Sequence, residues 1–372
     1  MTYLKTFILR LFQFEGTKMH SNVLLMCKLL LLLLIAHHMF FKISDPFIPF
    51  IPGLDMFNTY PNVFNYSLKI IFGLSAFALL FNINVRTASL INGCVIILSI
   101  LASKPLFFNH NFICACALIL AGLSNDKDPP YLFVLQLSLV YFGASINKFL
   151  EPDWWSGAFM DNWLGTAREN PPYLYMSQLF PKMVLAKLLS YIAMFTEFSI
   201  AIFILFKKTR RLTVWFIIVF HTTLFTLTSF RFGHFLESLV ITLLAFNSIT
   251  KAQLNIVYRQ KSANVLKQFF RVLDMDKKQT WAPNNEGQHF WLQLKHKDQV
   301  LFNHKALKFV LLNTPNFFML LFAIDVILYI LLYNHRTTLF VLNAIFVWIM
   351  IVYFLPINWS KLFKKTPTYK LQ

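Results

Sequence analysis

Long apolar stretches, separated by short polar segments, occupy most of the first 250 residues of the chain. A transmembrane helix needs roughly 20 mainly apolar residues, and about eight stretches approach that length. They cover residues 22–41, 64–82, 86–103, 106–123, 131–148, 183–206, 212–229 and 232–249. The pattern therefore predicts an all-α polytopic membrane bundle of about eight spans over residues 22–250. A basic amphipathic N-terminal segment, residues 1–21, precedes this bundle and suits the membrane interface.

The pattern changes after residue 250. Residues 251–316 are rich in Lys, Arg, Asn and Gln, and their apolar runs are short. A strand at 254–258 and a helix at 263–273 are predicted here, and residues 300–307 predict the end of a strand that runs into another helix. This order indicates a small α/β domain of the thioredoxin-like type.

The last part of the chain is apolar again. Residues 317–357 predict one or two C-terminal helices associated with the membrane, and residues 358–372 form a basic tail. Asp325 leaves open whether 317–333 spans the membrane or closes the small domain.

The net charge of +18 raises the question of nucleic-acid binding. Much of this charge lies in short segments between apolar stretches, as the positive-inside rule predicts for a membrane protein, and Lys207–Arg211 is the clearest example. We therefore expect the lipid bilayer as a partner and no nucleic acid. The same rule predicts a multi-pass protein of the cell (inner or plasma) membrane. It places the N-terminus and residues 251–316 in the cytoplasm, and the tryptophan-containing loop 149–182 outside.

The four cysteines, Cys27, Cys94, Cys114 and Cys116, all lie within predicted spans, so no disulfide framework is expected. Cys114 and Cys116 can be read as a metal or redox pair, or as small residues on a packed helix. The sequence contains no Cys-x-x-Cys, no His-Glu-x-x-His and no phosphate-binding glycine loop. No metal site is predicted.

Lys148 stands at the end of an apolar stretch. Ionisable residues inside a membrane are costly and mark functional sites, and a desolvated lysine can become a neutral amine that accepts a proton. In the alternative interpretation, Lys148 lies at the membrane boundary and extends to the lipid headgroups.

Further polar residues fall within the predicted spans: Asn109, His110, Glu197, His221, His234 and Glu237. Alone, each of them is explained by a hydrogen bond across the bundle. Two of the histidines, His110 and His221, together with Glu197 and Lys148 predict a shared polar cavity, and proton transfer is the natural use of such a cavity.

The order of these residues resembles the transmembrane part of vitamin K-dependent gamma-carboxylases and the wider HTTM (horizontally transferred transmembrane) domain family. The residues that carry the resemblance are, in chain order, Asn109, His110, the run Tyr141–Lys148, Asp153, Trp154, Gly157, Glu197, Arg210, Arg211, His221, Gly233 and Phe235. They extend over roughly residues 20–250, the whole predicted bundle.

The resemblance implies that Lys148 is the base that deprotonates a hydroquinone, with His110 and His221 as its catalytic partners and a reduced quinone as the cofactor. It also implies a set of cavity and supporting residues: Asn109, Glu197, Asp153, Trp154, Gly157 and Gly233. The sequence departs from the carboxylases at Asn147, because they have a lysine pair here. No segment of the sequence corresponds to their large β-rich domain, which binds the protein substrate. The resemblance thus extends to a carboxylase- or epoxidase-like cavity but not to glutamate carboxylation.

The start of the α/β segment resembles the DCC thiol-disulfide oxidoreductase family, whose members begin Ile-Val-Tyr-Asp-Gly-x-Cys-x-x-Cys. Residues 256–258 keep the first three positions, whereas Ser262 and Val265 stand where the cysteines are expected. Thiol exchange requires a thiolate. The resemblance therefore implies a degenerate domain with an adaptor or stabilising role.

Two functions remain open at this point. The first is a membrane enzyme that acts on a lipid-soluble (quinol-type) or peptide substrate with Lys148 as the base. The second is a non-catalytic membrane partner for maturation, assembly or export, whose cytoplasmic domain binds another protein. A secreted peptide, or another membrane or cytoplasmic protein, is the expected partner in the second case.

Overall fold

The computed structural model describes residues 2–332, except for residues 126–130, 229–231, 248, 260–263, 284–289 and 297–298. Most of the described chain is helical. The predicted C-terminal span near 339–355 and the basic tail 358–372 lie outside the described residues.

Thirteen helices precede the α/β segment in the described residues. They are α1 (Thr2–Leu9), α2 (Ser21–Ala36), α3 (Met39–Lys42), α4 (Pro61–Leu80), α5 (Val85–Ala102), α6 (Asn109–Leu123), α7 (Tyr131–Leu150), α8 (Pro152–Ser156), α9 (Ala158–Met160), α10 (Pro171–Ser177), α11 (Val184–Phe203), α12 (Arg210–Leu227) and α13 (Gly233–Leu243). Short 3₁₀ turns lie at Arg10–Phe12, Pro52–Phe57, Lys104–Leu106 and Leu244–Phe246, and Asp161–Thr166 form a π-helical turn.

The number of spans differs from the predicted eight. Four helices, α4, α5, α7 and α11, are long and apolar enough to cross a membrane. Two further helices, α15 (Asn303–Leu312) and α16 (Pro315–Leu332), make a fifth candidate if this pair, bent by 77°, is one broken span. The remaining predicted stretches form helices that are shorter or less apolar. α2, with 16 residues, extends about 24 Å, which is less than the roughly 30 Å of a hydrocarbon core. The described residues therefore support four or five candidate spans, and eight are not confirmed.

The first apolar stretch is not one continuous helix over 22–41. α2 ends at Ala36, and His38 adopts a left-handed backbone conformation with φ 60°, after which α3 begins. Nearly every side chain of α2 is buried, because the helix packs against α4, α6, α13 and α16. A helix that is apolar on all sides belongs in the interior of a bundle, and α2 is this central helix.

The N-terminal segment is fixed to the bundle by Lys28 of α2. The Lys28 side chain is fully buried, and its Nζ donates hydrogen bonds to the carbonyls of Arg10, Leu11 and Gln13 at 3.0, 2.8 and 3.2 Å. The ammonium also lies 4.8 Å from the centre of the Phe14 ring. Carbonyls at the end of a short helix lack intrahelical hydrogen-bond donors. The Lys28 ammonium supplies the missing donors.

A small α/β unit follows the bundle. Its elements are β1 (Leu254–Tyr258), α14 (Asn264–Leu273), β2 (Gln279–Pro283), β3 (Leu292–His296), β4 (Gln299–Phe302) and α15. The sheet order is β2-β1-β3-β4, with β1 and β2 parallel and the other neighbours antiparallel. The core contains Leu254, Ile256, Phe270, Leu292 and Val310.

The strand at β1, the helix at α14 and the passage from β4 to α15 agree with the sequence-based expectations. Strands β2 and β3 were not predicted. Their sequences, Gln-Thr-Trp-Ala-Pro and Leu-Gln-Leu-Lys-His, are short and contain several polar residues. They are strands because they pair with β1 on either side, which local sequence does not show.

The α/β unit contacts the N-terminal segment through charged residues. Lys278 forms an ion pair with Glu15, and the Asp276 carboxylate accepts hydrogen bonds from the backbone N–H groups of Phe14 and Glu15. Burial alone would raise the pKa of Glu15, but hydrogen bonds from Lys278 and Ser21 hold it below its ordinary value. Burial raises the pKa of Asp276 despite its backbone hydrogen bonds. These contacts connect residues that are about 260 positions apart in the chain.

Candidate functional site

A cavity of about 530 Å³ lies within the helical bundle. Helices α7, α11, α12 and α13 supply most of its wall, and α6, α8, α9 and the π-helical turn supply the rest. Many of the lining side chains are aromatic: Phe112, Tyr141, Trp154, Phe159, Trp163, Phe220, Phe232 and Phe235. An apolar cavity of this size with a few convergent polar groups is the usual form of a small-molecule site.

Lys148 and Glu197 form an ion pair at the wall of this cavity. Lys148 lies near the end of α7 and Glu197 within α11, and these two helices pack along each other. The two side chains are only 18% and 10% exposed, and the Lys148 Nζ lies 5.1 Å from the centre of the Trp154 ring. Lys148 thus contacts a carboxylate and an aromatic face. The Lys148 side chain therefore lines the cavity. This geometry differs from the alternative interpretation, in which Lys148 extends to the lipid headgroups.

A second polar pair lines the same cavity. The Tyr141 hydroxyl and the His221 Nε2 are 2.6 Å apart, and both side chains are buried. Tyr141 precedes Lys148 by seven residues on α7, which places both on one helix face. Tyr141 belongs to the motif Tyr141–Lys148 but was not predicted as a site residue. Its spacing from Lys148 is the signal that identifies it.

Gly157 positions the loop beside the ion pair. Its φ is +82°, and a Cβ at this position would lie 2.7 Å from the backbone nitrogen of Lys187 and 3.0 Å from the carbonyl carbon of Ala186. Only glycine permits both the backbone conformation and the close approach to α11. This packing places Trp154, three residues earlier, against Lys148.

The other predicted supporting residues lie at different places. Asn109 is part of the cavity wall. Asp153 is exposed on the first turn of α8, and it is not among the cavity-lining residues. Gly233 begins α13, where a Cβ would lie 3.4 Å from the ring of Phe225. Gly233 therefore has a packing role next to the cavity.

Replacing Gly157 with alanine is expected to destabilise the protein by about 3 kcal/mol, since left-handed strain of about 1 kcal/mol adds to overlap with backbone atoms. Gly16 is the matched control, because it has a similar φ of +75° but nothing within 4 Å of a Cβ. Gly16→Ala should cost only the strain. Thermal unfolding of the two purified variants in detergent checks this, and equal losses would show that the contact with α11 is unimportant.

The expectation that His110 shares the cavity of Lys148 is wrong in this structure. His110 is not among the lining residues; its ring lies 6.2 Å from the ring of His37 and 5.7 Å from that of His234. Asn109 and His110 are neighbours on α6, so their side chains differ by about 100° around the helix axis and face different surroundings. A catalytic role for His110 beside Lys148 is therefore not favoured by the geometry.

His37, His234 and Glu237 lie together next to His110. The Glu237 Oε2 is 3.4 Å from His37 Nε2 and 3.5 Å from His234 Nδ1. The rings of His37 and His234 are 3.8 Å apart. Among the described residues, these three are the group of His, Cys, Asp and Glu whose ligand atoms come within 4.8 Å of one another. His37 was missed because the stretch 22–41 was interpreted as one apolar span, although the adjacent pair His37-His38 interrupts it.

The apolar helices and the internal cavity are typical of a multi-pass membrane protein. A family model of the HTTM domain matches residues 129–250, which include α7, α11, α12 and α13. Residues 129–250 are therefore similar to the HTTM domain. No curated protein and no solved structure matches it.

Proposed function

We propose that the cavity binds a lipid-soluble ligand of the quinol type and that Lys148 and Glu197 together remove a proton from one of its hydroxyl groups. The observation that carries this proposal is the ion pair of Lys148 and Glu197 at the wall of an aromatic cavity. A charged pair at the wall of a mainly apolar cavity costs folding free energy. Charged residues in such places are retained mainly where function requires them.

The ion pair changes the role that the family resemblance implies for Lys148. An ammonium group that is paired with a carboxylate has no lone pair with which to accept a proton. In the proposed step, Lys148 passes a proton to Glu197 and takes the proton of the ligand hydroxyl. The ligand becomes a phenolate paired with the Lys148 ammonium, and Glu197 becomes a neutral acid. The proton count is balanced, and no redox partner is required for this step.

Tyr141 and His221 supply the second contact for the ligand. Lys148 and Tyr141 are separated by seven residues on α7, which is about 10.5 Å along the helix axis. A hydroquinone carries a hydroxyl group on each side of an aromatic ring, so each hydroxyl can form a hydrogen bond with one of the two polar pairs. The presence of both pairs at the wall of one aromatic cavity supports a hydroquinone as the ligand.

Binding of duroquinol, a water-dispersible hydroquinone, tests the proposal. Under anaerobic conditions it should quench the tryptophan fluorescence of the purified protein saturably, because Trp154 and Trp163 line the cavity. Lys148→Met should weaken binding about 10- to 100-fold, since it removes a charged hydrogen bond worth about 1.5–3 kcal/mol. Lys182→Met, an exposed lysine in the preceding loop of α11, is the control and should bind like the wild type. Equal affinity of Lys148→Met and the wild type would contradict the proposal.

The second candidate function, a non-catalytic membrane partner, is favoured by the α/β unit. A sheet of order β2-β1-β3-β4, with one parallel and two antiparallel pairs, supports a thioredoxin-like domain of the DCC type. Val265, where the second cysteine is expected, is 78% exposed on α14, and Phe269 and Val272 are also exposed one and two turns later. This apolar face supports an adaptor role in maturation, assembly or export, with the domain in the cytoplasm. Ser262 lies outside the described residues.

A further inference from the structure

We propose that His37, His234 and Glu237 bind a divalent transition-metal ion, with zinc as the best fit. Nothing in the proposed quinol chemistry requires this site, and no metal site was predicted from the sequence. The three residues come from the end of α2 and the first turns of α13, which the fold brings together. Two imidazoles and one carboxylate are a ligand set that zinc and ferrous iron both accept.

The distances between the ligand atoms fit one ion. Two ligands bound at about 2.05 Å to a tetrahedral zinc are about 3.3 Å apart. The Glu237 Oε2 is 3.4 Å from the His37 Nε2 and 3.5 Å from the His234 Nδ1. Small side-chain rotations are therefore enough to direct the three atoms at one point.

The surroundings of the cluster also favour a cation. The Glu237 side chain is 11% exposed and that of His37 is 13% exposed. Asp325 of α16 is buried as well and interacts electrostatically with Glu237. Two carboxylates of like charge in a poorly solvated place repel each other, and a bound divalent cation relieves this repulsion.

The site has an entry path and room for a fourth ligand. His234 is 45% exposed, so an ion can reach the cluster from solvent. The His110 ring lies within 6.2 Å of both other histidine rings, and a rotation of its side chain can bring a nitrogen to the fourth position. With His110 bound, the site resembles a closed structural site; with water there, it resembles an open one.

An ion at this place holds the helices around the cavity. Residues next to the ligands, Asn109 beside His110 and Phe235 beside His234, line the quinol-type cavity. The metal site joins the ends of α2 and α13, and of α6 if His110 binds. The metal site therefore acts on the cavity only by positioning its helices. Metal binding at this site does not depend on which ligand occupies the cavity.

The alternative explanation is an ion-pair network in which Glu237 only contacts two histidines. The two explanations differ in whether zinc is retained. The test uses the full chain, purified in detergent with a tag free of histidine, stripped with EDTA and then loaded with zinc. The metal is measured by mass spectrometry, and its affinity by competition with a chromophoric chelator.

We expect one zinc per chain in the wild type. His234→Ala and Glu237→Gln should each weaken zinc binding at least tenfold, because each removes one ligand. His304→Ala removes an exposed histidine of the α/β unit and is the matched control, with zinc binding like the wild type. Cobalt loaded in place of zinc should give the intense visible absorption of a tetrahedral site, and this spectrum should be lost in His234→Ala.

The proposal is overturned if the wild type retains no more zinc than His234→Ala, or if the two ligand variants keep wild-type affinity. A variant that fails to fold is recognised by size-exclusion chromatography, and Glu237→Gln, which keeps the side-chain volume, then decides the outcome. Loss of zinc binding with unchanged duroquinol binding would leave the proposed function intact, so the two proposals fail separately.

Discussion

Replacing Gly93 or Gly122 with alanine is expected to destabilise the bundle by about 2–3 kcal/mol each. A Cβ on Gly93 of α5 would lie 2.7 Å from the carbonyl oxygen of Ala115 and 2.9 Å from the backbone nitrogen of Ile119. A Cβ on Gly122 of α6 would lie 2.7 Å from the carbonyl oxygen of Arg86. Backbone atoms are among the obstructing atoms at both positions, so the two helices must separate, and overpacking of this kind costs about 1–3 kcal/mol or more.

Gly143 provides the matched control. It lies within α7, and nothing comes within 4 Å of a Cβ placed on it. Alanine is more favourable than glycine in a helix interior by about 1 kcal/mol, so Gly143→Ala should be neutral or slightly stabilising. Thermal unfolding in detergent measures all three variants. If Gly93→Ala and Gly143→Ala unfold at the same temperature, α5 and α6 do not pack as closely as described. The two helices would then not be in contact through their glycines.

The apolar stretches predicted the positions of the helices well, because hydrophobicity is a local property of the sequence. α4, α5, α7 and α11 lie close to their predicted boundaries. The break after α2 was not predicted, since Leu, Ile and Phe surround the pair His37-His38 and hide it from an average over the stretch. A left-handed residue such as His38 ends a helix without changing its hydropathy.

The site was predicted in part. Lys148, Glu197 and His221 fall on a common cavity because α7, α11 and α12 contribute to one wall. The ion pair between Lys148 and Glu197 was not predicted, because partners 49 residues apart are joined only by packing. His110 was assigned to the wrong group for a related reason. Its depth along the helix follows from the sequence, but the direction in which it points depends on the neighbouring helices.

Lys148→Met is expected to produce the largest loss of stability, about 3–5 kcal/mol, because it leaves the buried carboxylate of Glu197 without its partner. Glu197→Met should cost less than Lys148→Met, since the remaining ammonium keeps its contact with the Trp154 ring at 5.1 Å. The double variant Lys148→Met/Glu197→Met removes both charges and should be more stable than Lys148→Met alone.

The measurement is a double-mutant cycle on the free energy of unfolding in detergent, titrated with a denaturing surfactant. Lys182→Met, which removes an exposed lysine, should change the stability by less than about 0.5 kcal/mol. If the effects of the two single substitutions add in the double variant, the ion pair does not form and the proton step loses its acceptor. If the double variant regains stability but fails to bind duroquinol, the ion pair of Lys148 and Glu197 serves ligand binding and lowers the stability of the fold. This second outcome is the one we expect, because charges in a membrane bundle persist where function requires them.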